Sequence, residues 1–183
     1  MKIILASNSP RRKELLEMNE IDFEVCKSNV NEVIDINISV IENVCNLAKI
    51  KCLDIYNKNL DRVVLAADTI VVFNNKIYGK PADEADAFKM LEELSGNTHE
   101  VITGVCVASP KGIDVSYCIS KVHFRKISKE EILDYISTKE PMDKAGSYAI
   151  QGIGSKFVLG YDGEYDNIVG LPMKLTLEML RKH

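Results

Sequence analysis

An α/β fold, with a mixed twisted sheet flanked by helices, is predicted by three features of this 183-residue chain. Short apolar runs of strand length alternate with stretches whose apolar residues recur at helical spacing. Two long β-type runs then follow one another across a single turn, which reads as an extended hairpin. The length suits one domain, residues 1–183, with a core large enough to be drawn out into two lobes.

Residues 2–6 are the first predicted strand, a continuous apolar run. Ser9 supplies an N-cap and Pro10 the first position of a short helix to Met18, with Leu15 and Leu16 on its apolar side. Residues 23–26 read as a second strand and the polar, aperiodic residues 29–39 as an exposed loop. From Val40 to Tyr56 the apolar positions Val40, Val44, Leu47 and Ala48 fit a helix. Residues 62–67 form a strand that ends at Asp68, and residues 70–73 its continuation or a separate strand. Asn74-Asn75 turns that strand into a hairpin with residues 76–78. A helix over residues 83–94 stops at Ser95-Gly96, and the two long β runs, residues 99–108 and 113–124, join through Ser109-Pro110-Lys111-Gly112. Ser128, with Glu131 three residues on, opens a helix to Ser137. Glycines crowd residues 146–170 and predict tight turns, after which residues 171–181 form a terminal helix with Pro172 near its start.

The formal charge of −4 and the absence of a basic run argue against general attraction to nucleic acid. Five cysteines, odd in number and without C-x-x-C spacing, read as the reduced thiols of a cytoplasmic protein. His99, His123 and His183 are scattered, which argues against zinc. The N-terminal apolar run is too short for a signal peptide or a membrane span.

Chemistry concentrates in a few segments. In Ser7-Asn8-Ser9-Pro10-Arg11-Arg12, two arginines occupy the positive end of a helix, an unfavourable place unless an anion sits nearby. Hydroxyls, free N–H groups and guanidinium forks there describe a phosphate site, or else a surface turn whose arginines pair with acidic neighbours. Lys51 extends from the apolar face of its helix, either snorkelling from the core edge or aimed at a site. Asp68, where an apolar run stops, is placed to bind a metal or substrate, or simply to cap a turn. Glu32, in the polar loop, is a weaker metal candidate against the reading of a solvated acid. Gly79-Lys80-Pro81 can present an ammonium to phosphate or be only a turn. In Asp143-Lys144-Ala145-Gly146-Ser147-Tyr148-Ala149-Ile150-Gln151-Gly152, Gln151 suits the edge of a pyrimidine or satisfies its own loop. His99 and Thr103 are read as structural. Neither a P-loop nor a dinucleotide fingerprint is present.

In their order along the chain these segments, with Leu47-Ala48 to Lys51, Ala67-Asp68-Thr69, Leu94-Ser95-Gly96, Thr103-Gly104-Val105 and Asn167-Ile168-Val169-Gly170-Leu171-Pro172, resemble the Maf family. These are nucleoside triphosphate pyrophosphatases of the same broad fold group as the inosine triphosphate pyrophosphatases. The resemblance implies an elongated two-lobed domain with a central cleft. It also implies hydrolysis of a nucleoside triphosphate to monophosphate and pyrophosphate with a divalent metal, magnesium or manganese. Asp68 is then the expected proton acceptor and metal ligand, with Glu32 as the second metal candidate. Lys51 and Lys80 join it as catalytic groups that, with Arg12, hold the triphosphate. Ser7, Ser9, Arg11, Thr69 and Gln151 complete substrate binding, Arg11, Thr69 and Gln151 at positions linked to base selection. The Asp143 to Gly152 segment looks like the dTTP/UTP branch, not the 7-methyl-GTP branch, despite Asn31 and Ala149 where an acid and a glycine are common. A homodimer and a role in arrest of septum formation are further family expectations. A nucleotidyltransferase would need a glycine-rich loop where Ser7 to Arg12 has no glycine.

Overall fold

The computed structural model, which describes residues 2–183, turns the first apolar run into β1 (Ile3–Leu5), fully buried. It pairs in parallel with β2 (Phe23–Val25) and with β3 (Val64–Phe73). The hairpin partner β4 (Lys76–Tyr78) adds antiparallel to β3, and β5 (Thr98–Ser109), β6 (Gly112–Phe124) and β7 (Val158–Asp162) complete a seven-stranded mixed sheet in the order β2-β1-β3-β5-β6-β7. Among the described residues six α-helices accompany it: α1 (Pro10–Met18), α2 (Val40–Tyr56), α3 (Glu84–Leu94), α4 (Lys129–Ser137), α5 (Tyr165–Val169) and α6 (Met173–Leu180). None of the described helices is long and apolar enough to cross a membrane.

The chain divides into two compact units, one of residues 2–69, 103–118 and 170–183, the other of residues 70–102 and 119–169. The first has a core of small residues, in which Ala48 and Cys52 of α2 meet Ala66 of β3 and Cys106 and Ala108 of β5. Small side chains let a helix lie close to the sheet, and Gly104 takes this to its limit. A Cβ at Gly104 would sit 2.5 Å from the carbonyl oxygen of Val44, so α2 rests on β5 by backbone contact. The second unit is packed with larger groups, Phe124, Tyr135, Tyr148 and Phe157 among them, in edge-to-face contacts. His99 belongs to this aromatic core, 2.7 Å from the Tyr148 hydroxyl, and burial draws its pKa down to about 4. It is therefore a neutral structural histidine near pH 7, as the sequence indicates.

Several elements differ from expectation. Of the two readings the sequence leaves open for residues 70–73, the structure takes the continuation: β3 runs through Asp68 to Phe73, while its parallel neighbour β1 ends at Leu5. A carboxylate is tolerated in mid-strand because a lysine meets it there, as described below. The glycine-rich stretch contains β7, α5 and two short 3-10 turns in addition to tight turns. β7 carries its own glycine and its residues are exposed or half-buried, so it lacks the apolar alternation that marks a strand. The terminal helix begins only at Met173, with Pro172 as its N-cap residue.

Gly104→Ala should lower stability by about 1–3 kcal/mol, the usual cost of overpacking. Chemical unfolding would show it, and an unchanged midpoint would mean that α2 can lift from β5 without penalty.

Candidate active site

α1 starts as predicted with Pro10 in its first turn and no acidic residue there. Ser9 occupies the N-cap position, but its side chain makes no capping bond; instead its N–H donates to Ser7 Oγ at 3.2 Å. Arg12 folds back over this turn and donates from Nε to the Gly170 carbonyl (2.8 Å), from Nη1 to Ser7 Oγ (3.1 Å) and from Nη2 to Thr69 Oγ1 (3.1 Å). Thr69 Oγ1 is held in turn, 3.0 Å from Thr103 Oγ1 and 3.4 Å from the Gly170 carbonyl. All three acceptors of Arg12 are neutral, so no direct ion pair cancels its charge. Burial draws the guanidinium below its usual range, against the pull of the Asp68 charge, yet a guanidinium remains charged at neutral pH. Arg11 forms no ion pair among the described residues.

Lys51 settles the choice between snorkelling and aiming inward. Its Nζ lies 2.5 Å from Asp68 Oδ1 and 2.9 Å from Glu32 Oε1, with side-chain exposures of 12% for Lys51 and 10% for Asp68. Two elements deliver the principal pair: α2, seated on Gly104, carries Lys51, and β3 carries Asp68 past the end of β1. Glu32 arrives on the loop between β2 and α2, which is tied to α2 by side chains. The buried Asn43 donates from Nδ2 to the Asp35 carbonyl (2.8 Å) and accepts the Asp35 N–H at Oδ1 (2.8 Å), and Asp54 accepts the Asn29 N–H at 3.0 Å. Ser39 and Glu42 close a capping box where the loop enters the helix.

Lys80 and Gln151 lie in the other unit, and both are exposed. There the Gly79 carbonyl accepts the Gly146 N–H at 3.1 Å, which joins the Gly79-Lys80-Pro81 turn to the Asp143–Gly152 segment. Gly146 is at φ 69°, and a Cβ on it would press on Val71 at 2.9 Å, so glycine alone fits this approach. No ion pair engages Lys80 among the described residues.

Known proteins resemble this chain along its whole described length. The family model described as Maf-like protein matches residues 2–183. The chain belongs to the Maf family. Similar curated Maf relatives are a dTTP/UTP pyrophosphatase of Caldicellulosiruptor bescii, 50% identical over 99% of this chain and 94% of the relative, and one of Aquifex aeolicus, 43% identical over 100% and 95%. A Bacillus cereus protein of the same name is 47% identical over 99% of this chain and 95% of its own. Among solved structures, a HAM1 protein from Coxiella burnetii superposes with a TM-score of 0.51 at 14% identity, covering 99% of each chain. At that identity the likeness is one of fold.

Of the residues that the Maf resemblance singles out, one unit thus brings together Ser7, Arg12 and Thr69 in one hydrogen-bonded group and Glu32, Lys51 and Asp68 in another, with Ser9 and Arg11 on the same helix turn. Glu32 and Asp68 converge on the Lys51 ammonium, and these two carboxylates are the donors suited to a divalent cation. No described cluster of three His, Cys, Asp or Glu adds to them. Two carboxylates completed by water and phosphate oxygens is a donor set that magnesium commonly takes, so the residues fit such an ion. The sequence reading missed Asn43 and the Gly170 carbonyl. Asn43 had a signal, since an amide three residues after Val40 and four before Leu47 stands on the apolar face of α2; a backbone carbonyl leaves none.

Asn43→Ala should strip both Asp35 backbone groups of their partner and cost about 1–3 kcal/mol. Hydrogen exchange at the Asp35 amide should accelerate together with the loop around Glu32. Unchanged protection there would show that the loop is held by other contacts.

Proposed function

We propose that this Maf protein hydrolyses nucleoside triphosphates, dTTP and UTP foremost, to the monophosphate and pyrophosphate. The pyrimidine preference is supported by the names of relatives that are 43–50% identical over nearly the whole chain. The reaction type is supported chiefly by one observation: Lys51 gathers Asp68 and Glu32 around its ammonium beside an Arg12 whose charge no carboxylate cancels. Arg11, Arg12 and Lys51 outnumber the two carboxylates, so the group favours an incoming anion in a protein that is acidic as a whole.

Hydrolysis requires water to attack the α-phosphorus while pyrophosphate departs. Asp68 is the group assigned to accept the proton of that water. Lys51, bonded to the Asp68 carboxylate, fixes its orientation and offers its positive charge to the phosphate chain. Arg12 spends three of a guanidinium's five N–H donors on Gly170, Ser7 and Thr69, which leaves two for phosphate oxygens in a position set before substrate arrives. Lys80 is assigned to the departing pyrophosphate, where negative charge accumulates. Asp68 and Glu32 would hold magnesium or manganese, which when bound supplies Lewis-acid polarisation of the phosphoryl oxygens. Arg11, Thr69 and Gln151 are assigned to the base and its sugar side. Thr69 has little freedom for such a role, because its hydroxyl already serves Arg12 and Thr103, so its influence on the base runs through the position of Arg12. The five free cysteines support a cytoplasmic setting.

A panel of common and modified triphosphates with magnesium or manganese should give equimolar monophosphate and pyrophosphate, fastest from dTTP and UTP. Dominant turnover of 7-methyl-GTP would overturn the pyrimidine assignment. Asp68→Asn should reduce turnover about 10²–10⁴-fold, the range for loss of a general base, with the circular-dichroism spectrum unchanged. Near-normal pyrophosphate release by that variant would remove Asp68 from the mechanism.

A further inference from the structure

We propose that Glu140 is a positioning residue for base recognition, its carboxylate clamping the backbone that carries Gln151; this rests on the assignment of Gln151 to the base. Glu140 opens a 3-10 turn directly after Lys139, which adopts the left-handed conformation at φ 64°. That reversal turns the carboxylate toward the end of the Asp143–Gly152 segment. Its Oε1 accepts the Ile153 N–H at 3.0 Å and its Oε2 the Gly154 N–H at 2.9 Å. Successive N–H groups aimed at one anion form a concave cradle, here filled by the protein's own carboxylate.

The residues around the cradle admit little else. Gly152, immediately after Gln151, stands at φ 90° and ψ −153°, and a Cβ on it would collide with Glu140 Oε1. A Cβ at Gly154 would lie 2.6 Å from the Tyr135 hydroxyl, a fully buried phenol. Lys144 donates to the Glu140 carbonyl at 3.0 Å and keeps its ammonium on the same turn. Burial by itself would raise the Glu140 pKa. Tyr135, the two N–H groups and the Lys144 charge outweigh it and hold the carboxyl below the usual range.

The other end of the segment is fastened separately. The Gly146 N–H donates to the Gly79 carbonyl, Ser147 Oγ reaches Met90 Sδ at 3.1 Å, and Tyr148 is bonded to His99. Between these two anchors Gln151 is exposed, and its amide has no partner among the described residues. A side chain that is free at its tip and fixed at its backbone on both sides is suited to reading a hydrogen-bonding edge, because the ordering has been done before the ligand arrives. Glutamine at position 140 keeps one acceptor oxygen but turns an NH₂ donor toward the second N–H. The clamp then opens on one side while the volume stays the same.

The test compares the wild-type protein with Glu140→Gln and Gln151→Ala, alone and combined. With Glu140→Gln, KM for dTTP and UTP should rise about tenfold with kcat within about twofold, the signature of lost positioning in binding. Discrimination between UTP and CTP should fall, and amide exchange at Ile153 and Gly154 should accelerate. In the Gln151→Ala background, Glu140→Gln should change discrimination no further. Unchanged KM and discrimination, additive effects in the double variant, or an equal loss of kcat for every nucleotide would each overturn the proposal. If Glu140→Gln fails to fold, Glu140→Asp in the same cycle gives the same readout. Wild-type protein inactive on dTTP and UTP would instead defeat the functional reading, while the exchange rates would still report whether Glu140 clamps the turn.

Discussion

A single ammonium, that of Lys51, sets the terms for much of the first unit. It stands between Asp68 and Glu32 with only a small part of its side chain in water. A charge taken that far from solvent is tolerable only when it is paired and hydrogen-bonded, and the same condition applies to Asp68 in mid-strand. Each surrounding feature serves that pairing. Gly104 lets α2 lie against β5, the small core residues keep the helix at that distance, and Asn43 ties down the loop that brings Glu32.

Arg12 follows a contrasting rule. Its partners are two hydroxyls and a carbonyl, which fix the guanidinium in space without neutralising it. A carboxylate in any of those places would have bound it more tightly and cancelled its charge. The orientation comes from dipoles, so the full charge remains on offer. The helix start beneath it adds positive character instead of opposing it, which would destabilise an arginine unless an anion visits.

The other unit handles charge by enclosure. Glu140 is consumed by two backbone N–H groups, while Lys80 and Gln151 remain exposed and unpaired among the described residues. An aromatic core with a neutral, buried His99 gives these exposed groups a stiff base. Rigidity beneath and free polar tips above is what selective binding of a polar ligand requires.

The α/β class, the positions of the longer helices and strands, and most of the first unit's charged groups were legible in the residues themselves. Periodicity, capping patterns and turn residues are local properties, and a cation at a helix's positive end or on an apolar face is visible as a local contradiction. The residues left open whether β3 continues through Asp68, because a carboxylate inside a strand is acceptable only once Lys51 meets it from another element. β7 was hidden for a related reason: a short strand with exposed side chains and a glycine owes its existence to the neighbouring strand, not to its own pattern. Tertiary structure alone decided that Ser7, and not Ser9, carries the hydrogen bonds at the start of α1, that Gly170 and Thr69 hold Arg12, and that Glu140 closes on the turn after Gln151. Those contacts join residues well separated in the chain, except at the first turn, where Ser7 accepts from Ser9 and Arg12. The charged and hydroxyl groups that gather in the first unit were thus written along the sequence. Their partners and orientation came from packing, since a hydrogen bond depends on distances that only the folded chain sets.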